Sequence, residues 1–354
     1  MNATREFVAD AVAALHDEAA RAADTPLRAL PLAPYPGVTL YFKDESAHPS
    51  GSLKHRLARS LFLYALCNGR LAPGQRVVDA SSGSTAISQA WFARLLGCPF
   101  TAVMPACTSP DKVARVRRLG GDVELVADPG AVVDVARAHA ATGACHLDQF
   151  GLAERATDWR ANNNIAESIF AQLDACAVEP DWIVCGAGTG GTSTTIGRYL
   201  RWAGHATRLA IAEPRGAAFA EGWRGRDRNA CAKQPTVIEG IGRPRVEPGF
   251  SFELADDVVE VDDARSLAAM LALERLLGTR YGGSSGTHFA ACLELARRLH
   301  AERGGGAIVT LLGDRGERYA RTLYDPAWRA ARGFDVEADA RTLAAEVAGD
   351  RRAA

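Results

Sequence analysis

Short apolar runs and amphipathic stretches alternate along almost the whole chain, with a Gly or Pro stop at most junctions. Strand-like runs occupy 38–43, 76–80, 100–104, 123–126, 181–185, 208–212 and 307–312. Between them, apolar residues recur at helical spacing over 52–68, 84–96, 111–119, 131–141, 164–174, 192–202, 262–277 and 287–300. Strand runs rich in Val, Ile and Leu, with little polar alternation, belong to sheets covered on both faces. Parallel neighbours need a crossover of a dozen or more residues, which a helix supplies. The alternation therefore predicts an α/β fold of parallel sheets covered by helices. The acidic stretch 251–263 reads as a surface excursion. Residues after about 325 read as a terminal helix or tail.

Bulk properties narrow the function classes. A chain of 354 residues is long enough for two domains with sizeable cores. A formal net charge of -1 favours neither nucleic acid nor an anionic membrane as partner. The eight cysteines form no C-x-x-C pair and, with the histidines, no zinc spacing, so no metal is expected. Scattered thiols in apolar contexts, such as Ile183-Val184-Cys185, are those of a reducing compartment. Residues 1–20 are alanine-rich and amphipathic, without the basic-then-apolar order of a signal peptide. No apolar run approaches the ~18 residues of a membrane span. The expectation is a cytoplasmic protein.

Ligands of open α/β sheets bind where strands end, and four unusual loops fall there. In the first, Pro49-Ser50-Gly51-Ser52 leads into Lys54 at the predicted start of a helix. A partly desolvated lysine is more easily neutral, hence nucleophilic, and suited to condense with an aldehyde. A helix with a basic first turn accounts for the same residues. The second loop is Ser81, Ser82, Gly83, Ser84 and Thr85. Its hydroxyls and amides at a helix start suit a carboxylate or phosphate. Capping alone needs only one of them.

The third loop runs Gly186-Ala187-Gly188-Thr189-Gly190-Gly191-Thr192. Its glycines let backbone N–H groups approach an anion, and the following helix dipole adds attraction. The same run fits G-x-G-x-x-G, and Glu213 ends the next strand where a ribose-binding acid would lie, so a nicotinamide cofactor is the alternative. The flanking threonines suit one terminal phosphate. The fourth loop holds Ser284 among glycines, where a neutral hydroxyl can meet a heteroaromatic nitrogen or cap the helix.

Taken in order, these loops resemble the cysteine synthase family of pyridoxal-phosphate enzymes, the fold-type-II group with a tryptophan synthase β-like fold. The resemblance spans residues 25–324. Besides the four loops it is carried by Thr25-Pro26-Leu27, Lys43-Asp44-Glu45, Glu239-Gly240-Ile241-Gly242 and Gly316-Glu317-Arg318-Tyr319. It implies that Lys54 is the Schiff-base lysine and the catalytic residue. It gives the phosphate cup to Gly188, Thr189, Gly190, Gly191 and Thr192, and the pyridine-nitrogen contact to Ser284. The substrate carboxylate falls to Ser81, Ser82, Gly83 and Thr85, with Gln149 as helper. Where the family carries an asparagine near the cofactor's phenolic oxygen, this chain has Ser84.

The stretches Asp148-Gln149-Phe150, 154–160 and 162–168 resemble the bacterial L-cysteine desulfhydrases within this family. The implied reaction is β-elimination of L-cysteine, with β-replacement on cysteine or an activated serine as the alternative. The implied cofactor is pyridoxal 5'-phosphate, and the implied partners are a small amino acid and a second copy of the chain. The implied organisation is an N-terminal segment over 1–42 packed on the larger domain. A smaller substrate-side domain over 43–155, a larger cofactor-binding domain over 156–325 and a tail over 326–354 follow it.

Overall fold

The computed structural model describes residues 3–22 and 24–350. It divides into two compact units. One contains Asp24 and the described residues before it, with His48–Asp158; the other contains Thr25–Ala47 and the chain from Trp159 onward. In chain order the first elements are α1 (Ala3–Arg21), β1 (Leu27–Pro31), β2 (Val38–Asp44) and α2 (Lys54–Cys67). Then come β3 (Val77–Ala80), α3 (Ser84–Leu95), β4 (Phe100–Pro105), α4 (Pro110–Arg118) and β5 (Asp122–Val126). Helix α5 (Val132–Ala141), β6 (Cys145–His146) and α6 (Gln149–Ala156) complete the first unit.

In that unit, four parallel strands lie in the order β5-β4-β3-β6. All four residues of β3 are buried, as a strand covered on both faces requires. The N-terminal segment departs from expectation. Ala11 and Leu15 of α1 join a core with Ala58, Leu61 and Phe62 of α2, so α1 belongs to the smaller unit. The switch between units comes after it, because β1 and β2 pair with each other in the other sheet.

The second unit continues with α7 (Ile165–Asp174), β7 (Trp182–Cys185), α8 (Gly191–Ala203), β8 (Arg208–Pro214) and α9 (Ala218–Gly225). It ends with β9 (Asp257–Val261), α10 (Asp263–Leu277), α11 (Gly283–Arg303), β10 (Gly306–Leu312), α12 (Pro326–Ala330) and α13 (Glu337–Ala348). Its six strands lie in the order β1-β2-β10-β7-β8-β9, and only β1 runs antiparallel. One expectation is corrected here, and of the two readings of the chain after 325 the terminal helix is the one found. The acidic stretch holds β9, whose Val258, Val259 and Val261 are buried against the sheet while its acids mark an edge strand. The tail is packed: Leu343 and Val347 of α13 enter the main core.

Candidate active site

Lys54 is the first residue of α2 and is half-buried. Gly51, at φ 77°, makes the turn before it. The next residue, His55, is 1% exposed and anchors the segment in two directions. Its Nδ1 lies 3.1 Å from Ser50 Oγ, which lies 2.8 Å from Ser88 Oγ of α3. Its Nε2 lies 2.9 Å from Glu18 Oε1 of α1. Burial holds His55 below the ordinary imidazole range. Burial pushes the Glu18 carboxyl up, but the His55 hydrogen bond and nearby positive charge outweigh it and hold it low. The pair is thus a neutral imidazole donating from Nε2 to a carboxylate, with Nδ1 accepting from Ser50.

The loop after β3 rests on a buried carboxylate that sequence reasoning passed over. Asp79, 1% exposed, accepts from Ala80 N–H at 2.9 Å and Gln89 Nε2 at 2.5 Å. It also accepts from Gln149 N–H at 3.2 Å and lies 3.2 Å from His146 Nε2. Gln149 returns its side-chain amide to Ala80 O at 2.7 Å, so it braces the strand end from below. Ser81 accepts from Ala86 N–H at 3.2 Å. The N-cap position of α3 is Gly83, where an added Cβ would meet nothing within 4 Å. Ser82 and Ser84 are half-buried beside it, and Thr85 is buried. The structure thus gathers Ser81, Ser82, Gly83, Ser84, Thr85 and Gln149 at one strand end, and in this unit it also carries Lys54.

In the second unit the loop after β7 is wedged in place by its lack of side chains. A Cβ on Gly188 would stand 2.3 Å from Gly240 O, and one on Gly190 2.4 Å from Phe250 N. Gly190 has φ 83°, and α8 begins at Gly191. Thr189 Oγ1 accepts from Gly191 N–H at 3.3 Å. Among the described residues, the N–H groups of Gly188, Thr189 and Gly190 find no acceptor. Together with the first turn of a 13-residue helix, they form an anion cradle.

Ser284 lies in the first turn of α11, 9% exposed, and its hydroxyl has no hydrogen-bond partner among the described residues. Capping does not explain it, because the N-cap position is Gly282. The helix starts four residues before the predicted 287, which places Ser284 inside it. Neighbouring Ser285 accepts from Gly313 N–H at 3.0 Å, just past β10.

Glu213 settles the alternative cofactor. It is 1% exposed and accepts from the N–H groups of Phe219 at 3.0 Å and Ala220 at 2.5 Å. Its carboxyl closes the start of α9 and is not presented to a ribose. Burial pushes it up to about 7 against the pull of those two hydrogen bonds.

A family model described as pyridoxal-phosphate dependent enzyme matches residues 20–314. The chain belongs to the pyridoxal-phosphate dependent enzyme family. It is 47% identical over 346 residues to L-cysteine desulfhydrase Cds1 of Mycobacterium tuberculosis, covering 96% of this chain and 94% of that one. It is 33% identical over 316 residues to O-ureido-L-serine synthase of Streptomyces lavendulae, covering 83% and 90%. The fold matches a hydrogen sulfide-producing enzyme of Fusobacterium nucleatum at a TM-score of 0.80 and 23% identity, covering 94% and 95%. That last likeness bears on the fold alone.

The family's cofactor needs an anion cradle for its phosphate, a partner for its ring nitrogen and an amine for its aldehyde. Within the larger unit, the open N–H groups after β7 and the Ser284 hydroxyl have the chemistry to meet a phosphate and a ring nitrogen, and the smaller unit offers an amine in half-buried Lys54. The nicotinamide reading is thereby replaced. No cluster of three or more His, Cys, Asp or Glu able to hold a metal occurs among the described residues. No helix among them is long and apolar enough to cross a membrane.

Proposed function

We propose that this protein is an L-cysteine desulfhydrase, converting L-cysteine and water to sulfide, pyruvate and ammonia. The observation that carries the reading is the 47% identity to a desulfhydrase over 96% of the chain. Lys54 would hold the cofactor through its amine, and the same amine, when neutral, would take the Cα proton of the substrate. The N–H groups of Gly188, Thr189 and Gly190, with Gly191 and Thr192 in the first turn of α8, hold the phosphate. Ser284 would offer a neutral hydroxyl, not a carboxylate, to the ring nitrogen. Ser81, Ser82, Gly83 and Thr85 would receive the substrate carboxylate on a strand end held by Asp79 and Gln149, with Ser84 toward the cofactor. Pyridoxal phosphate, when bound, delocalises the electron pair left at Cα. Loss of the Cα proton and of the β-sulfur with its bonding pair would leave a three-carbon enamine, whose hydrolysis with one water gives pyruvate and ammonia.

The competing branch is capture of the same three-carbon unit by a second nucleophile, as a synthase would do; the 33% identity to a synthase keeps it in view. The experiment is a product assay with purified holoenzyme and L-cysteine alone, then with added thiol. Sulfide and pyruvate in equal amounts without any thiol support elimination. Sulfide that appears only with a thiol, matched by adduct and no pyruvate, assigns the protein to replacement. A soluble homodimer working in the cytoplasm completes the reading, and sedimentation of the purified holoenzyme tests the assembly.

A further inference from the structure

His288 lies one helical turn beyond Ser284 on α11 and is 3% exposed. Its two ring nitrogens serve two different strand ends. Nδ1 lies 2.9 Å from Leu311 O, within β10. Nε2 lies 2.7 Å from the N–H of Gly186, the first residue of the loop after β7. A carbonyl only accepts and a backbone amide only donates. The ring is therefore neutral, with its proton on Nδ1 and its lone pair on Nε2. Contact is close enough that a Cβ on Gly186 would stand 2.7 Å from Nε2.

Residues four apart share a helix face. Helix α11 therefore carries on one face both the free hydroxyl of Ser284 and the ring that grips the root of the anion cradle. Those two features must meet opposite ends of one rigid cofactor, so their spacing matters. We infer that His288 is a positioning residue: through Gly186 it fixes the cradle of residues 188–192 relative to Ser284, and so sets cofactor affinity. The inference rests on the assignment of that cradle to the cofactor's phosphate, made above.

The two amide side chains that imitate imidazole separate the two bonds. Glutamine carries its amide oxygen near the place of Nε2, whereas asparagine reaches only the place of Nδ1. Apoprotein of the parent, His288→Gln and His288→Asn is titrated with pyridoxal 5'-phosphate, and thermal melting is recorded without cofactor. We expect His288→Gln to bind within about threefold of the parent. His288→Asn should bind roughly tenfold or more weakly, the effect of stranding one buried donor. Its KM for cysteine at saturating cofactor should be unchanged.

Equal affinity of His288→Asn and the parent overturns the inference. So does an equal loss in both variants that follows an equal loss of melting temperature, since that reports packing alone. A parent that binds no pyridoxal 5'-phosphate overturns the cradle assignment itself, and the inference with it. Nitrogen-15 spectra of the parent check the tautomer without any substitution: a proton found on Nε2 of His288 also overturns it.

Discussion

Lys54 owes its setting to residues that do no chemistry. It is half-buried at a helix start, while His55 beside it reaches α1 through Glu18 and α3 through Ser50 and Ser88. Removing the Lys54 amine should leave that network in place. Lys54→Ala should melt within a few degrees of the parent, lose the mass added by pyridoxal phosphate after borohydride reduction, and lose turnover by about 10²–10⁴-fold or more. A variant that keeps both the reducible adduct and full turnover would remove Lys54 from the mechanism. The setting of Lys54 was legible in the sequence because its signal is local: a Ser/Gly turn and then a lysine at a helix start. Asp79 and His288 were not. The Asp79 carboxylate meets Gln149 from 70 positions away, and His288 meets Gly186 from 102 away. In sequence, Asp79 is an acid in an apolar run and His288 a polar residue in a helix. Only the sheet's crossovers bring their partners to them.

At the scale of elements, glycine punctuation was the most reliable guide. Gly69 and Gly97, which directly follow the helical runs 52–68 and 84–96, both have positive φ, at 66° and 65°. Strands were harder. Two-residue β6 is too short for any periodicity, and the acids of β9 hid a run of buried valines. Gly190 shows why the loop after β7 could be recognised but its rigidity could not. Its φ of 83° is a local demand, whereas the 2.4 Å approach of a Cβ to Phe250 N comes from a segment 60 residues away. Thr194 of α8 binds the same segment through Gly249 O at 2.7 Å. Gly190→Ala should therefore lower the stability of the apoprotein by about 1–3 kcal/mol, measured by urea denaturation without cofactor. An unchanged midpoint would mean that segment 249–250 yields freely.

Glu213 makes a second prediction at the start of α9. Its carboxyl titrates near pH 7 when folded and near the ordinary value of 4.5 when unfolded. The folded protein then holds the extra proton between those values, so this contribution is full below pH 4.5 and is lost as pH rises through 7. The shift corresponds to roughly 3 kcal/mol at its fullest. Glu213→Gln should flatten the fall in urea midpoint between pH 5 and pH 8. Parallel profiles for parent and variant would show that the carboxyl stays ionised throughout.

The whole molecule is two units with separate cores, and its eight cysteines are distributed so as to report on each. Cys67, Cys107, Cys176 and Cys231 are exposed. Cys98 and Cys145 lie in the core of the smaller unit, while Cys185 and Cys292 lie in the cores of the larger one. Burial pushes Cys145 up to about 11 and Cys292 to about 12, so neither is reactive while its core is closed. Native protein should label only at the four exposed thiols. With rising urea the two buried pairs should open at different concentrations, because no core residue is shared between the units that hold them. The anion cradle belongs to the larger unit and follows Cys185 directly. In Lys54→Ala protein, where the link to the smaller unit is removed, pyridoxal phosphate at 100 times its Kd should therefore delay the opening of Cys185 and Cys292 by about 2.7 kcal/mol. Mass spectrometry of labelled peptides reads all four sites in one series. If the cofactor delays Cys98 and Cys145 by the same amount, the two units unfold as one, and cofactor binding stabilises the molecule as a single cooperative body.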